Sequence, residues 1–191
     1  MKHVIKPASY LFFVAAVTTA LLVLTHAVTL EPIANQHKKA REKMMREILT
    51  RADAFQEIPA EKAGKAEKSG SLDRVFEAFN GGETIGWIVE LSPGGYGGAI
   101  NMMVGISKED DAVAGIRVLR HSETPGLGAL AATERFYRKY EGRKLVPLKV
   151  VRSRPHDDEI DAITSATITT QAVTDAVNEA IKWYAERVSG E

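Results

Sequence analysis

The chain has 191 residues, 45% of them hydrophobic and 26% charged, with 25 basic and 25 acidic side chains and a formal net charge of zero. A balanced charge leaves no electrostatic footprint for nucleic acid, so no nucleic-acid partner is expected. With no cysteine, disulfides, iron–sulfur clusters, thiolate zinc sites and c-type haem attachment are excluded; the five histidines are scattered and predict no metal site.

The N-terminus is apolar. No Lys, Arg, Asp or Glu occurs from Pro7 to Leu30. About 20 such residues at 1.5 Å each cross a hydrocarbon layer of roughly 30 Å. Residues 1–30 are therefore read as a transmembrane anchor. Lys2 and Lys6 precede the span and favour a cytoplasmic N-terminus, with the remainder outside. Lys38, Lys39, Arg41, Lys43 and Arg46 follow it and count the other way. A cleaved signal peptide, with a poor site at Thr25-His26-Ala27, and a buried helix of a soluble protein are the alternatives.

Residues 31–70 read as a helical connector. Glu31 to Ala54 has a partial apolar stripe of Ile33, Met44, Met45, Ile48 and Leu49. Glu57 to Gly70 is rich in Glu, Lys, Ala and Gly and predicts a solvated linker. Residues 71–191 form the extracytoplasmic domain. Strands are expected over 74–79 and 84–91 around Asn80-Gly-Gly82, and over 99–106 and 112–119 around Lys108-Glu-Asp-Asp111. Tight turns between consecutive strands imply an antiparallel sheet. Ala129 to Tyr140 predicts a helix, and Leu148 to Val151 a short strand. From Ile168 to Val188 apolar residues recur at helical spacing. The fold class is α+β, helices packed on an antiparallel sheet, after one N-terminal transmembrane helix.

Two segments carry candidate chemistry. Asp161-Ala-Ile-Thr-Ser-Ala-Thr-Ile-Thr-Thr170 opens the last helix, with Thr164 or Ser165 as its N-cap. A first helical turn has unpaired N–H groups and the positive dipole end, so it suits a phosphate; plain capping is the simpler role. His121-Ser-Glu-Thr-Pro-Gly-Leu-Gly128 follows a strand, and its Pro-Gly forces a turn. Gly94-Gly-Tyr-Gly-Gly98 permits close backbone approach, and Tyr96 could cover an aromatic ligand; an ordinary loop is the simpler role in both cases.

Together, these segments resemble the FMN-binding domain family. His-Ser-Glu-Thr-Pro-Gly-Leu-Gly is similar to its hallmark loop. Asp161-x-x-Thr164-Ser165-Ala166-Thr167 is similar to its flavinylation motif, which often has Gly where this chain has Ser165. The resemblance spans about Leu72 to Ala185. It implies FMN held covalently by a phosphoester to Thr167, placed there by a flavin transferase that uses FAD and reads Asp161. It implies that Glu123, Thr124, Leu127 and Gly128 line the flavin ring. Glu123 then bonds a ring nitrogen or ribityl hydroxyl, or else pairs with a cation; His121 is structural, with proton donation as the alternative. A short chain with one span looks most like the G subunits of Rnf ion-translocating ferredoxin:NAD oxidoreductases. That implies electron transfer beside other membrane subunits, notably a flavin-carrying D subunit, at the outer side of the cytoplasmic membrane. The C subunit of sodium-translocating NADH:quinone oxidoreductases and a stand-alone FMN-binding regulatory module are the alternatives, and a cofactor-free structural domain is a third.

Overall fold

The computed structural model describes residues 2–59, 71–153, 155–188 and 190. The chain divides into two units, Met1–Lys43 and Met44–Glu191. Helix α1 covers Lys2–Ile48. Within the first unit, Tyr10–Thr29 is a 20-residue stretch of mean hydropathy 2.2, none of it buried by protein. Thr18, Thr25 and Thr29 donate their hydroxyls to the carbonyls of Val14, Leu21 and Thr25 at 2.8–2.9 Å. Polar groups satisfied within the helix, under side chains that are apolar all round, suit hydrocarbon surroundings. No described residue of this chain buries the stretch, which suits a lipid anchor or a signal segment rather than a helix buried in a soluble fold.

In the second unit five strands run β1 Ala54–Ile58, β2 Leu72–Asn80, β3 Glu83–Leu91, β4 Asn101–Ser107 and β5 Ala112–Arg120, each antiparallel to the next in the order β1-β2-β3-β4-β5. Gly81 (φ +60°) and Gly82 (φ +88°) make the β2–β3 turn. Positive φ at both central residues matches the twist of a tight hairpin and explains the Asn-Gly-Gly sequence. Strand β1 lies outside the expected strands. It occupies part of the expected connector; residues 60–70 of that connector lie outside the described residues.

Strand alternation assigns two faces. Val75, Val89, Leu91, Met102, Val104, Ile106, Ile116 and Val118 point to one side. They pack with Val173, Ala176, Val177, Ala180, Ile181 and Tyr184 of helix α3, Thr167–Arg187. Phe76, Ala78, Ile88 and Met103 point to the other, against Met45, Ile48, Leu49 and Ala52. A side chain of this size contributes about 1.5–3 kcal/mol when fully buried. The Met45, Ile48 and Leu49 part of the first apolar stripe and the stripe of α3 thus cover opposite faces of one sheet.

The expected helix over 129–140 is not continuous. A 3-10 helix, Gly128–Ala132, and one short turn, α2 Glu134–Tyr137, replace it. Thr133 is extended (φ −103°, ψ 150°) and interrupts them. Strands β6 Lys149–Val151 and β7 Glu159–Asp161 pair in parallel as a separate small sheet. Tyr140 is fully buried and its hydroxyl meets Thr174 Oγ1 at 2.8 Å. Burial pushes the Tyr140 phenol well above its ordinary value, so it stays protonated as a bonding group.

Gly105 on β4 lies directly under α1, and a Cβ there would collide with the Ile48 side chain. Gly105→Ala should therefore cost about 1–3 kcal/mol through overpacking. Thermal unfolding of the detergent-solubilised chain measures this; an unchanged midpoint would contradict the packing described.

Candidate functional site

Three segments converge on the side chain of Glu123. Glu123 is 6% exposed. Its Oε1 accepts the Gly97 N–H at 2.8 Å, and its Oε2 accepts the Thr169 hydroxyl at 2.6 Å. The glycine loop, the 121–128 loop and the first turn of α3 are thereby joined through one residue. The glycines are needed for this approach. A Cβ at Gly95 or Gly128 would collide with the Glu123 carboxylate, and one at Gly97 with the Ser122 carbonyl. The close contact made possible by the glycines is thus with a neighbouring protein loop. Glu123 pairs with no cation among the described residues; its bonds are to neutral donors. The His121 Nδ1 accepts the Glu123 N–H at 3.2 Å.

The start of α3 differs from expectation in one respect. Neither Thr164 nor Ser165 caps the helix; Ala166 occupies the N-cap position and makes no side-chain cap bond. Ser165 sits at φ +62°, in the left-handed region. Glycine adopts such a conformation readily, whereas a serine there holds its side chain in the left-handed region. The first helical hydrogen bond is Thr170 N–H to Ala166 O at 3.0 Å. The N–H groups of Thr167, Ile168 and Thr169 precede it and have no partner among the described residues.

The hydroxyls of this segment differ sharply in availability. Thr169 is 1% exposed and bonded to Glu123. Thr170 is fully buried; it donates to Ala166 O and accepts Ile163 N–H, both at 3.0 Å. Thr164, Ser165 and Thr167 are exposed. Of these, Thr167 alone is within the helix, at its first position beside the unpaired amides.

A groove of about 470 Å³ adjoins this turn, within the range of roughly 300–1,000 Å³ common for ligand sites. Among the expected site residues, Leu127, Asp161, Thr164 and Ser165 lie on its wall. Tyr96, Glu123, Thr124, Gly128, Ala166 and Thr167 do not. Leu130, Arg135, Phe136 and Lys139 line it as well and carry no signal in the sequence, because only the fold brings 130–139 beside 161–165. Tyr96 (72% exposed), Leu127 (40%), Leu130 (43%) and Ile168 (59%) are exposed large apolar side chains. No group of three or more His, Asp or Glu that could hold a metal occurs among the described residues.

Comparison with known proteins bears on this geometry. Residues 95–182 match the FMN-binding domain and residues 1–48 the RnfG N-terminal region. The chain is 34% identical to the G subunit of the Na(+)-translocating ferredoxin:NAD(+) oxidoreductase complex of Acetobacterium woodii, across 96% of this chain and 92% of the relative. The chain belongs to the family of G subunits of ion-translocating oxidoreductase complexes. The G subunit of the ion-translocating oxidoreductase complex of Methanosarcina acetivorans is 30% identical, with 95% of each chain covered. The fold is shared with the C subunit of the Na(+)-translocating NADH-quinone reductase from Parabacteroides distasonis, at TM-score 0.56 and 20% identity over 73% of this chain and 79% of that one. NqrC of Shewanella oneidensis matches similarly, at TM-score 0.55 and 18% identity over 74% and 73%. Membership among the G subunits thus rests on nearly full-length relatives, and the two reductase structures speak for the fold alone.

The Glu123–Thr169 bond is open to a double-mutant cycle. Glu123→Gln and Thr169→Val should each destabilise, and their combination should cost less than the sum by on the order of 1 kcal/mol. Chemical denaturation of the four proteins gives the coupling, and strict additivity would contradict the stitching role assigned to Glu123.

Proposed function

We propose that this chain is the covalent-FMN electron-transfer subunit of a membrane-bound ion-translocating ferredoxin:NAD oxidoreductase, loaded on Thr167. The observation that carries the acceptor assignment is the contrast among hydroxyls: Thr167 is exposed beside unpaired amides, whereas Thr169 and Thr170 are buried and bonded. A phosphate esterified to Thr167 would sit where the Thr167, Ile168 and Thr169 amides and the helix dipole favour negative charge. The full-length likeness to G subunits supports the assignment to the complex.

Loading is a phosphoryl transfer without change of oxidation state. The Thr167 hydroxyl attacks the FMN-side phosphorus of FAD. Its Oγ–P bond forms, the pyrophosphate P–O bond breaks, AMP leaves, and the hydroxyl proton passes to a base supplied by the transferase. Once bound, the flavin supplies one-electron chemistry, and the protein supplies position and electrostatics. Leu127, Leu130 and Phe136 offer an apolar wall for the ring, and Arg135 and Lys139 offer positive charge at the same groove. Glu123 serves chiefly to hold the loops that frame the turn. A phosphoester keeps the cofactor from dissociating on the outer side of the membrane, where free FMN is scarce. The D subunit, with its own flavin, is the nearest electron-transfer neighbour in this reading, and ion movement belongs to the complex.

Co-expression with a flavin transferase tests the acceptor. Thr167→Ala should abolish flavin fluorescence in a denaturing gel, whereas Thr164→Ala and Thr169→Ser should retain it. A fluorescent Thr167→Ala band would overturn the assignment.

The domain faces outward in this proposal, on the strength of Lys2 and Lys6 ahead of the apolar stretch. Protease added to spheroplasts should digest residues 44–191. Protection there, with digestion in inverted vesicles, would reverse the topology.

A further inference from the structure

The segment ahead of Thr167 is gripped by two cations from one neighbouring turn. The Lys139 ammonium lies 2.9 Å from Asp161 Oδ1 and also donates to the Asp161 backbone carbonyl at 2.9 Å. Arg143 donates Nε–H to the Lys139 carbonyl at 2.9 Å and Nη1–H to the carbonyls of Asp157 and His156 at 2.7 and 3.3 Å. Arg143 thus ties the Lys139 backbone to the loop before β7, while Lys139 holds the last residue of β7. The Lys139 side chain is 21% exposed and Asp161 42%, so the pair is partly withdrawn from water. Asp161 is therefore neither a freely solvated loop residue nor a cap of α3. Its carboxylate is held by a cation that reads side chain and backbone together.

Beyond Asp161, few bonds fix the chain before α3 begins. Among the described residues they are Ala162 N–H to Val151 O at 2.7 Å, Ile163 N–H to Thr170 Oγ1 at 3.0 Å, Ala166 N–H to Ile163 O at 2.9 Å, and the Thr170 N–H and hydroxyl to Ala166 O at 3.0 Å each. Between them lies Ser165 in its left-handed conformation. A side chain in that region costs on the order of 1 kcal/mol and persists only where the surroundings impose it. The grip on Asp161 is one such imposition, applied at the N-terminal end of the strained turn.

We infer that Lys139 is a positioning residue for the loading of Thr167. It fixes Asp161 and the course of residues 162–166, so that a transferase meets the acidic residue and the acceptor hydroxyl in one arrangement. Lys139 does not act on the phosphorus, and the bonds made and broken remain those of FMN transfer from FAD to Thr167 with release of AMP. The inference rests on Thr167 being the acceptor.

The test uses the full chain co-expressed with the flavin transferase, FAD being supplied by the cell, with covalent FMN per chain followed over time and the thermal midpoint measured on the same samples. Lys139→Met keeps the aliphatic stem and removes the charge and both donations. It should load about tenfold more slowly than the unaltered chain, a difference of roughly 1.4 kcal/mol in barrier. Lys139→Arg, which can still reach both oxygens, should restore most of the rate. Loading of Lys139→Met at the full rate would overturn the inference. So would a Lys139→Arg chain that folds yet loads as slowly as Lys139→Met. If Lys139→Met does not accumulate, Lys139→Gln takes its place, with the same expected order and the same overturning results. An unaltered chain without flavin, or with flavin on another residue, would instead overturn the acceptor assignment itself.

Discussion

A buried carboxylate must be bonded or it destabilises the fold. Glu123 meets that requirement with one amide and one hydroxyl, from segments far apart in the chain. Its two oxygens join Gly97 of the glycine loop to Thr169 in the first turn of α3. Everything proposed for the site depends on this join. It holds the hydroxyl of Thr169 inward, so that the helix begins with its first residue facing out. It also requires glycine at 95, 97 and 128, where any Cβ would meet protein atoms. Gly95, Gly97 and Gly128 are thereby explained by protein packing, without a ligand being invoked.

The same logic separates one threonine from its neighbours. Thr169 and Thr170 lie against the core, with hydroxyls bonded to a carboxylate, a carbonyl and an amide. Thr174 continues the series by donating to Thr170 O and meeting the Tyr140 hydroxyl. Helical geometry sets this division: 169, 170, 173, 174 and 177 share the face turned to the sheet, while 167, 168 and 171 turn to solvent. Reactive availability at the start of α3 is a consequence of amphipathicity as much as of motif.

Much of the fold is legible in local pattern. The two hairpins carry their own turn residues, and α3 declares itself by the spacing of Val173, Ala176, Val177, Ala180 and Ile181. The omissions have physical causes. β1 has a mostly exposed edge position and a sequence, Ala-Phe-Gln-Glu-Ile, without strict alternation; only pairing with β2 makes it a strand. β6 and β7 are three residues each and pair in parallel, which no local signal encodes. The 129–140 stretch has helical composition, yet an extended Thr133 divides it. At the site, Thr167, Asp161 and the 121–128 loop stand out as motif residues. Hydroxyls usually serve as N-caps, which favours Thr164 or Ser165; the left-handed Ser165 shifts that role to Ala166. Lys139 and Arg143 leave no trace in the sequence pattern, since their contacts reach backbone carbonyls 13 to 22 positions away.

The central claim is that the exposed first hydroxyl of α3 is a point of covalent cofactor attachment. Intact-mass measurement of the chain purified from cells that express its flavin transferase, followed by mass mapping of the peptide containing 161–171, tests it most directly. One added FMN less one water, carried entirely on Thr167, is expected. An unmodified mass, or an FMN increment carried on any other residue, would contradict it.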